Sequence, residues 1–340
     1  MRLSIIIPTK NRAERLKFVL LSIQYNQAQH TDYEVIVIDN GSSDETHNIC
    51  KSFEDLLPNF SYVYDERPGL LTGRHRGASL AKGEILCFLD DDVELNPNYI
   101  NSVQLAFEDS GVSIATGPCL PKYESYPPKW LDYFWTDEKQ LGRWCGWLSL
   151  LDFGNDIRNI DPNFVWGLNF VIRKATLMEL GGFHPDITIK EQQHFQGDGE
   201  TGLTLKAQQK GIPALYHPGL LVYHYVNKER TTEAYMVKRA FTQGIFNSFT
   251  ELRKIHRDGQ PQQKAPSFRD KMHPYYRWIK LFIPQPKQDM PPAIATLRQK
   301  LAQAEQEGYQ SHQMAFKNDK NVRKWVLQDN YWIYEPPANS

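Results

Sequence analysis

Cysteine is scarce in this chain: 340 residues contain four, Cys50, Cys87, Cys119 and Cys145, and no two form a C-x-x-C pair. Such spacing excludes a zinc ribbon or a dithiol redox centre and reads as a reduced, cytosolic chain. Surplus charge is missing too. Thirty-nine Lys and Arg against 40 Asp and Glu leave a net charge of -1, which excludes a bulk electrostatic grip on nucleic acid. Long apolar runs are absent: none approaches the roughly 20 residues needed to span a bilayer. The first, Leu3 to Ile7, lacks the length and small-residue cleavage site of a secretory signal. The expectation is a chain that neither crosses a membrane nor carries a signal. Two glycine patterns are also lacking, G-x-G-x-x-G after the first apolar run and G-x-x-x-x-G-K-[ST] anywhere. Their absence removes the phosphate cradles of dehydrogenase-type dinucleotide folds and P-loops.

What is present is ordinary globular composition, 41% hydrophobic and 23% charged, with enough length for one large or two modest domains. The first third alternates strand and helix signals. Leu3–Ile7 is a β-branched run stopped by Pro8, and Leu16, Val19, Leu20 and Ile23 follow at helical spacing. Further strands are expected at Tyr33–Asp39, Phe60–Tyr64, Glu84–Leu89 and Val112–Thr116, separated by helices over about 45–57, Leu70–Lys82 and from Pro97. Strands spaced by such helices predict an α/β fold with a mostly parallel sheet. Regularity breaks over 121–160, which is rich in Trp and Tyr. It returns with a strand near 164–172, a helix from Lys174 stopped at Gly181-Gly182, and a helix after Glu200. Helix is expected after Tyr225 through Arg253 and near 294–307, with a polar, Pro-containing loop at 257–274 between them.

Ligands of open parallel sheets sit beyond the carboxyl ends of the strands. Three such ends carry polar clusters: Pro8-Thr9-Lys10-Asn11-Arg12, Asp39-Asn40-Gly41-Ser42 and Asp90-Asp91-Asp92. Three adjacent carboxylates after a buried strand repel one another unless a cation joins them, and hard oxygen ligands suit Mg²⁺ or Mn²⁺. A solvated acidic turn is the alternative; the alignment with the other polar strand ends favours the metal.

Five blocks, SIIIPTKNR, VIVIDNGSSDET, PGLLTGRHRGASLAKGEILCFLDDDV, WGLNFVIRKATLMELGGF and GDGETGL, follow one another along roughly residues 1–230. In this order they resemble an inverting family 2 glycosyltransferase. The resemblance implies a GT-A, Rossmann-like fold: a nucleotide-sugar-binding half at 1–118, an acceptor and catalytic half at 119–230, and a mainly helical extension at 231–340. It also implies transfer of a sugar from a nucleoside diphosphate donor, uridine by default, to a hydroxyl of a glycan, lipid-linked glycan or small molecule, with Mn²⁺ or Mg²⁺ as cofactor. Pro8, Thr9 and Arg12 resemble the first nucleotide loop. Asp39 or Asn40 matches the base contact, although many relatives have a second Asp where this chain has Asn40. Arg74 resembles a further nucleotide-side residue, followed by His75 in place of the usual Asn. Asp90 matches the ribose-side carboxylate, with Asp91 beside it, and Asp92 the metal-holding one; Asp90 and His224 complete the metal set, and Arg230 resembles a diphosphate contact. His217 and His224 fit no standard zinc spacing.

The resemblance places an acidic general base at the start of the helix in Gly197-Asp198-Gly199-Glu200. Aligning Leu203 and Leu205 with apolar positions assigns Glu200, with Asp198 as runner-up. From the residues alone both equally suit the N-terminus of a helix. Trp166 and Asn169 resemble the loop facing donor sugar and acceptor, where Trp166 and the 121–160 tryptophans either stack on sugar rings or fill core. A nucleotidyltransferase and an inactive binding module with the same fold are competing functions; the glycine-free Pro8–Arg12 loop weighs against the first, and intact Asp90, Asp92 and Glu200 against the second. Finally, Tyr275–Ile283 interleaves aromatic and aliphatic residues with Arg277 and Lys280. Docking on the catalytic domain and peripheral contact with the inner face of a membrane both fit that pattern.

Overall fold

The apolar runs become strands where their spacing sets them. Leu3–Thr9 (β1), Tyr33–Asp39 (β2), Phe60–Tyr64 (β3) and Ile85–Leu89 (β4) pair in parallel, β1 lying between β2 and β4 and β3 outside β2. Every residue of β1, β2 and β4 is buried. Strands covered on both faces need no polar alternation, which explains their near-continuous apolar reading. The computed structural model describes residues 2–26, 32–67, 69–186, 190–256 and 290–333. Helix α1 (Ala13–Asn26) buries Leu16, Val19, Leu20 and Ile23 on one stripe, as the sequence predicts. Its first turn is capped from a distance, because the Ala13 N–H donates to Asp44 Oδ2 at 3.0 Å. Two shorter helices follow, α2 (Thr46–Lys51) and α3 (Leu70–Leu80), and then α4 (Tyr99–Ala106).

Eight strands complete the main sheet in the order β11-β13-β6-β12-β4-β1-β2-β3, where β6 is Ile114–Thr116, β11 Arg158–Ile160, β12 Asn169–Arg173 and β13 Ala214–Tyr216. The sheet is parallel except that β12 runs against β4 and β6, and β11 against β13. Helices α5 (Lys174–Glu179) and α6 (Glu200–Gln209) lie between β12 and β13 in the chain.

The stretch at 121–160 is not irregular. It builds most of a second, six-stranded sheet, β5-β14-β7-β10-β9-β8, from Val93–Leu95 (β5), Cys119–Tyr123 (β7), Thr136–Glu138 (β8), Gly142–Cys145 (β9), Leu150–Asp152 (β10) and Val222–Val226 (β14). Strands of three to five residues are too short for a period of two to show. Trp144 and Trp147 are buried here; Trp144 packs edge-on against Phe153 and Phe164. Packing rather than an open face takes these two aromatics.

The C-terminal part is helical: α7 (Glu233–His256), α8 (Pro292–Asn318) and α9 (Lys320–Val326). It packs on the α/β part instead of hanging off it. Trp325 Nε1 donates to the Phe195 carbonyl at 2.7 Å, and Arg253 Nη1 donates to the carbonyls of Val326 and Gln328 at 2.6 and 2.8 Å. The expected loop at 257–274 and the aromatic-basic segment 275–283 lie outside the described residues. No helix among the described residues is long and apolar enough to cross a membrane.

Candidate active site

Parallel pairing brings the ends of β1, β2 and β4 to one edge, and hydrogen bonds between the loops fix their order there. The Asn40 N–H donates to the Thr9 carbonyl at 2.9 Å. Thr9 Oγ1 donates to Asp91 Oδ2 at 2.8 Å, and Arg12 Nη1 to Asp91 Oδ1 at 2.8 Å and Asp92 Oδ2 at 3.0 Å. Both Asp91 oxygens are therefore committed to holding the β1 loop. Burial pushes the Asp91 carboxyl up to about 6, against the pull of Arg12. Asp39 is locked in a similar way: its Oδ1 accepts the Ser42 N–H at 2.7 Å and its Oδ2 the Tyr62 hydroxyl at 2.8 Å. Of the two residues assigned to base contact, Asn40 has its amide nitrogen on the Arg67 carbonyl at 3.2 Å, beneath Pro8 and α3.

At the centre lies Arg74, with a side chain only 3% exposed between two carboxylates. Nη2 donates to Asp90 Oδ1 and Nη1 to Glu200 Oε2, each at 3.3 Å. The second oxygen of Glu200 accepts the Gly167 N–H at 3.2 Å. One buried cation thus links an acidic residue at the end of β4 to another at the start of α6. Burial raises the Asp90 carboxyl; Arg74 opposes this, while Asp92 and Glu200 add to it. Close approach by glycine permits the arrangement. A Cβ on Gly167 would stand 1.9 Å from Arg74 Nη2, and one on Gly73 would stand 2.6 Å from Asn40 Oδ1 and 2.7 Å from Pro8. Adjacent His75 is buried and neutral, pushed down to about 3 by burial. It accepts the Phe183 N–H at 3.0 Å, donates from Nδ1 to the Tyr331 carbonyl at 3.1 Å, and stacks on Trp332 at 4.2 Å.

A third group gathers at Asp92. His224 Nε2 lies 3.7 Å from Asp92 Oδ1, and Arg230 Nη1 lies 3.7 Å from Asp92 Oδ2 and 2.9 Å from His224 Nε2. Burial acts to raise the Asp92 carboxyl, but His224, Arg12 and Arg230 together hold it well below the usual range. Asp92 Oδ1 is buried without a hydrogen-bond partner. That orphaned oxygen is open to an ion, whereas His224 Nε2 already accepts from Arg230 Nη1 and would exchange that bond to join it. No set of three His, Cys, Asp or Glu side chains suited to a metal occurs among the described residues. An ion at Asp92 would take most of its ligands from phosphate and water, as Mg²⁺ does. Asp90, expected to share the ion, has its Oδ1 on Arg74 Nη2 at 3.3 Å.

Beside Glu200 opens a cleft of about 260 Å³, lined by Trp166, Asp186, Asp198, Glu200, Arg230 and Arg239 among others. Trp166 is on the cleft wall. Asn169 is not: it is fully buried, accepts the Tyr99 hydroxyl at 2.6 Å and donates to the Leu220 carbonyl at 2.8 Å. Its amide ties β12 to the β13–β14 connection and has no side facing a sugar. Asp198 is equally committed, since His184 Nδ1 lies 2.6 Å from Oδ1 and Thr250 donates to Oδ2 at 2.6 Å. Burial pushes His184 down to about 4, against the pull of Asp198. Of the two acidic residues before α6, Glu200 is the one with 26% of its side chain open to solvent. Asp186, Gly167 and Arg239 escaped the sequence reading. Asp186 follows the matched GGF block by only two residues, a usable signal; Arg239 lies in an unmatched helix and offers none.

With this geometry in place, comparison with known proteins settles the family. The sequence model of Glycosyl transferase family 2 matches residues 4–181. The chain belongs to glycosyl transferase family 2. Among its relatives is the validoxylamine A glucosyltransferase of Streptomyces hygroscopicus subsp. jinggangensis, 30% identical over 206 residues, 55% of this chain and 48% of that protein. The glucosyl-dolichyl phosphate glucuronosyltransferase of Haloferax volcanii is 22% identical over 259 residues, 74% of this chain and 78% of that protein. The chain spans about half the length of the validoxylamine A glucosyltransferases it matches. Among solved structures, the mannosyltransferase from Pyrobaculum calidifontis in complex with GDP-Man and Mn²⁺ superposes with a TM-score of 0.51 at 19% identity, covering 98% of this chain and 85% of that one. The family 2 chain described here has the GT-A fold.

Proposed function

We propose that this family 2 chain is an inverting glycosyltransferase that passes a sugar from a nucleoside diphosphate donor to an acceptor hydroxyl, with Glu200 as general base. One observation carries the reading: a single buried guanidinium, Arg74, holds Asp90 at the nucleotide edge and Glu200 at the mouth of a separate cleft. Donor and acceptor are thereby set on opposite sides of one rigid contact, as direct displacement requires. Glu200 takes the proton from the acceptor hydroxyl while that oxygen bonds to the anomeric carbon. The bond from that carbon to the diphosphate oxygen breaks in the same step, and the electron pair leaves with the nucleoside diphosphate. Arg74 and the Gly167 N–H aim the carboxylate, and Arg230 lies on the side where negative charge develops. A divalent cation held by Asp92 and His224 would supply charge stabilisation to the departing diphosphate. Uridine is the default base. The relative named for a glucosyl-dolichyl phosphate substrate supports a lipid-linked acceptor, and the validoxylamine relative a small molecule.

Titration of UDP into the protein with and without Mn²⁺ tests the donor side. The expected result is Mn²⁺-dependent binding that Asp92→Asn abolishes while the variant keeps a native circular dichroism spectrum and a cooperative unfolding transition. Undiminished transfer in excess EDTA would remove the metal from the reading, and release of pyrophosphate in place of a nucleoside diphosphate would overturn the function.

A further inference from the structure

Arg239 projects from α7, outside the residues matched to the family, into the cleft that holds Glu200. Its Nη1 is shielded from solvent and has no hydrogen-bond partner, while its guanidinium lies over the Phe246 ring, 5.4 Å from the centroid. Arg239 is half-buried, and a partner for that N–H would remove the cost of leaving a donor on a charged group unsatisfied. Asp186, across the cleft, feels the charge of Arg239 yet directs Oδ1 to Gln196 Nε2 at 3.0 Å. Arg230 lines the same cleft and also keeps a buried N–H, Nε, without a partner. Asp90, Asp92 and the β1 and β2 loops take no part in lining this cleft. Arg230 also meets Asp92 and so joins this cleft to the donor side, whereas Arg239 lines it together with Glu200, where the proposed reaction puts the acceptor.

Resting on the glycosyltransferase reading, we propose that the acceptor carries a phosphate and that Arg239 is the residue that recognises it. A planar guanidinium fork pairs with two phosphate oxygens at once, and Phe246 lies within cation–π distance of it. The phosphate belongs either to a sugar phosphate or to a lipid headgroup, and one set of ligands separates these sources.

Saturation-transfer NMR on the full chain compares glucose 1-phosphate with methyl glucoside, and dodecyl phosphate with dodecyl glucoside; UDP affinity is measured in parallel. The phosphate should improve binding by about tenfold or more, the scale of a charge-assisted hydrogen bond. Arg239→Gln should erase that preference, Arg239→Lys should retain part of it, and UDP affinity should stay within about twofold in both. A preference confined to dodecyl phosphate assigns the group to a lipid, and one shared by glucose 1-phosphate assigns it to a sugar phosphate. Equal binding with and without phosphate would overturn the proposal. So would a preference that survives Arg239→Gln, or a loss of UDP affinity in that variant. Failure of UDP to bind the wild type, with the phosphate preference intact, would instead refute the donor assignment.

Discussion

Gly167→Ala tests the central contact without touching a charged group. Gly167 has no left-handed backbone, so alanine there is conformationally permitted and would by itself stabilise the fold by about 0.4–1 kcal/mol through the unfolded state. The structure predicts the opposite sign. The new Cβ would lie 1.9 Å from Arg74 Nη2 and 2.6 Å from Cζ, and Arg74 is almost wholly enclosed. Arg74 must withdraw from Asp90 or Glu200, or β12 must move. Overpacking costs roughly 1–3 kcal/mol, and loss of one hydrogen bond to a charged group about 1.5–3 kcal/mol, the lower end suiting contacts of 3.3 Å. After the alanine gain, a net loss of about 2–3 kcal/mol remains. For a chain of 340 residues that lowers the melting temperature by roughly 3–4 °C. Urea unfolding of the wild type, Gly167→Ala, Arg74→Ala and the double variant assigns the cause. If the collision with Arg74 is responsible, Gly167→Ala should cost little in the Arg74→Ala background, giving a coupling above about 1 kcal/mol. Additivity within about 0.5 kcal/mol would refute the reasoning.

Other consequences are checked separately. Glu200→Gln should lower turnover by roughly 10²- to 10⁴-fold with UDP affinity unchanged, and product NMR should show the anomeric configuration inverted; a retained centre removes Glu200 from the role of base. Asp198→Asn should lower the melting temperature, because it weakens a buried pair with His184 and Thr250; full stability with a selective loss of turnover would reverse the two assignments. His75, His184 and His312 are all held neutral by burial, with values near 3, 4 and 4. The unfolded chain binds protons at these histidines below about 6.5 while the folded chain does not, so stability should fall as pH drops from about 6.5 towards 4. Urea midpoints that stay flat between pH 6.5 and 5 would contradict the neutral buried state.

Periodicity settled the strands whose ends carry the polar clusters: β2 and β3 have the predicted bounds, and β1, β4 and α3 differ by a residue or two. Their sequences encode this locally, because strands buried on both faces must be apolar throughout and the polar clusters must lie where the strands end. The same local logic put Arg12 and Asp92 in polar strand-end clusters, whereas Arg74, Glu200 and Trp166 were singled out only by the resemblance to the family. The division of labour among the polar residues lay beyond it. Asp90 and Asp91 are neighbours of the same type, yet one meets Arg74 and the other Thr9 and Arg12. Asp198 and Glu200 precede the same helix, yet one is sealed by His184 and Thr250 and the other opens on the cleft. Partners 14 to 126 residues away decide each case. Such partners become neighbours only when β12, α6 and α7 pack together, so burial and ion pairing, unlike strand period, are properties of the tertiary structure alone.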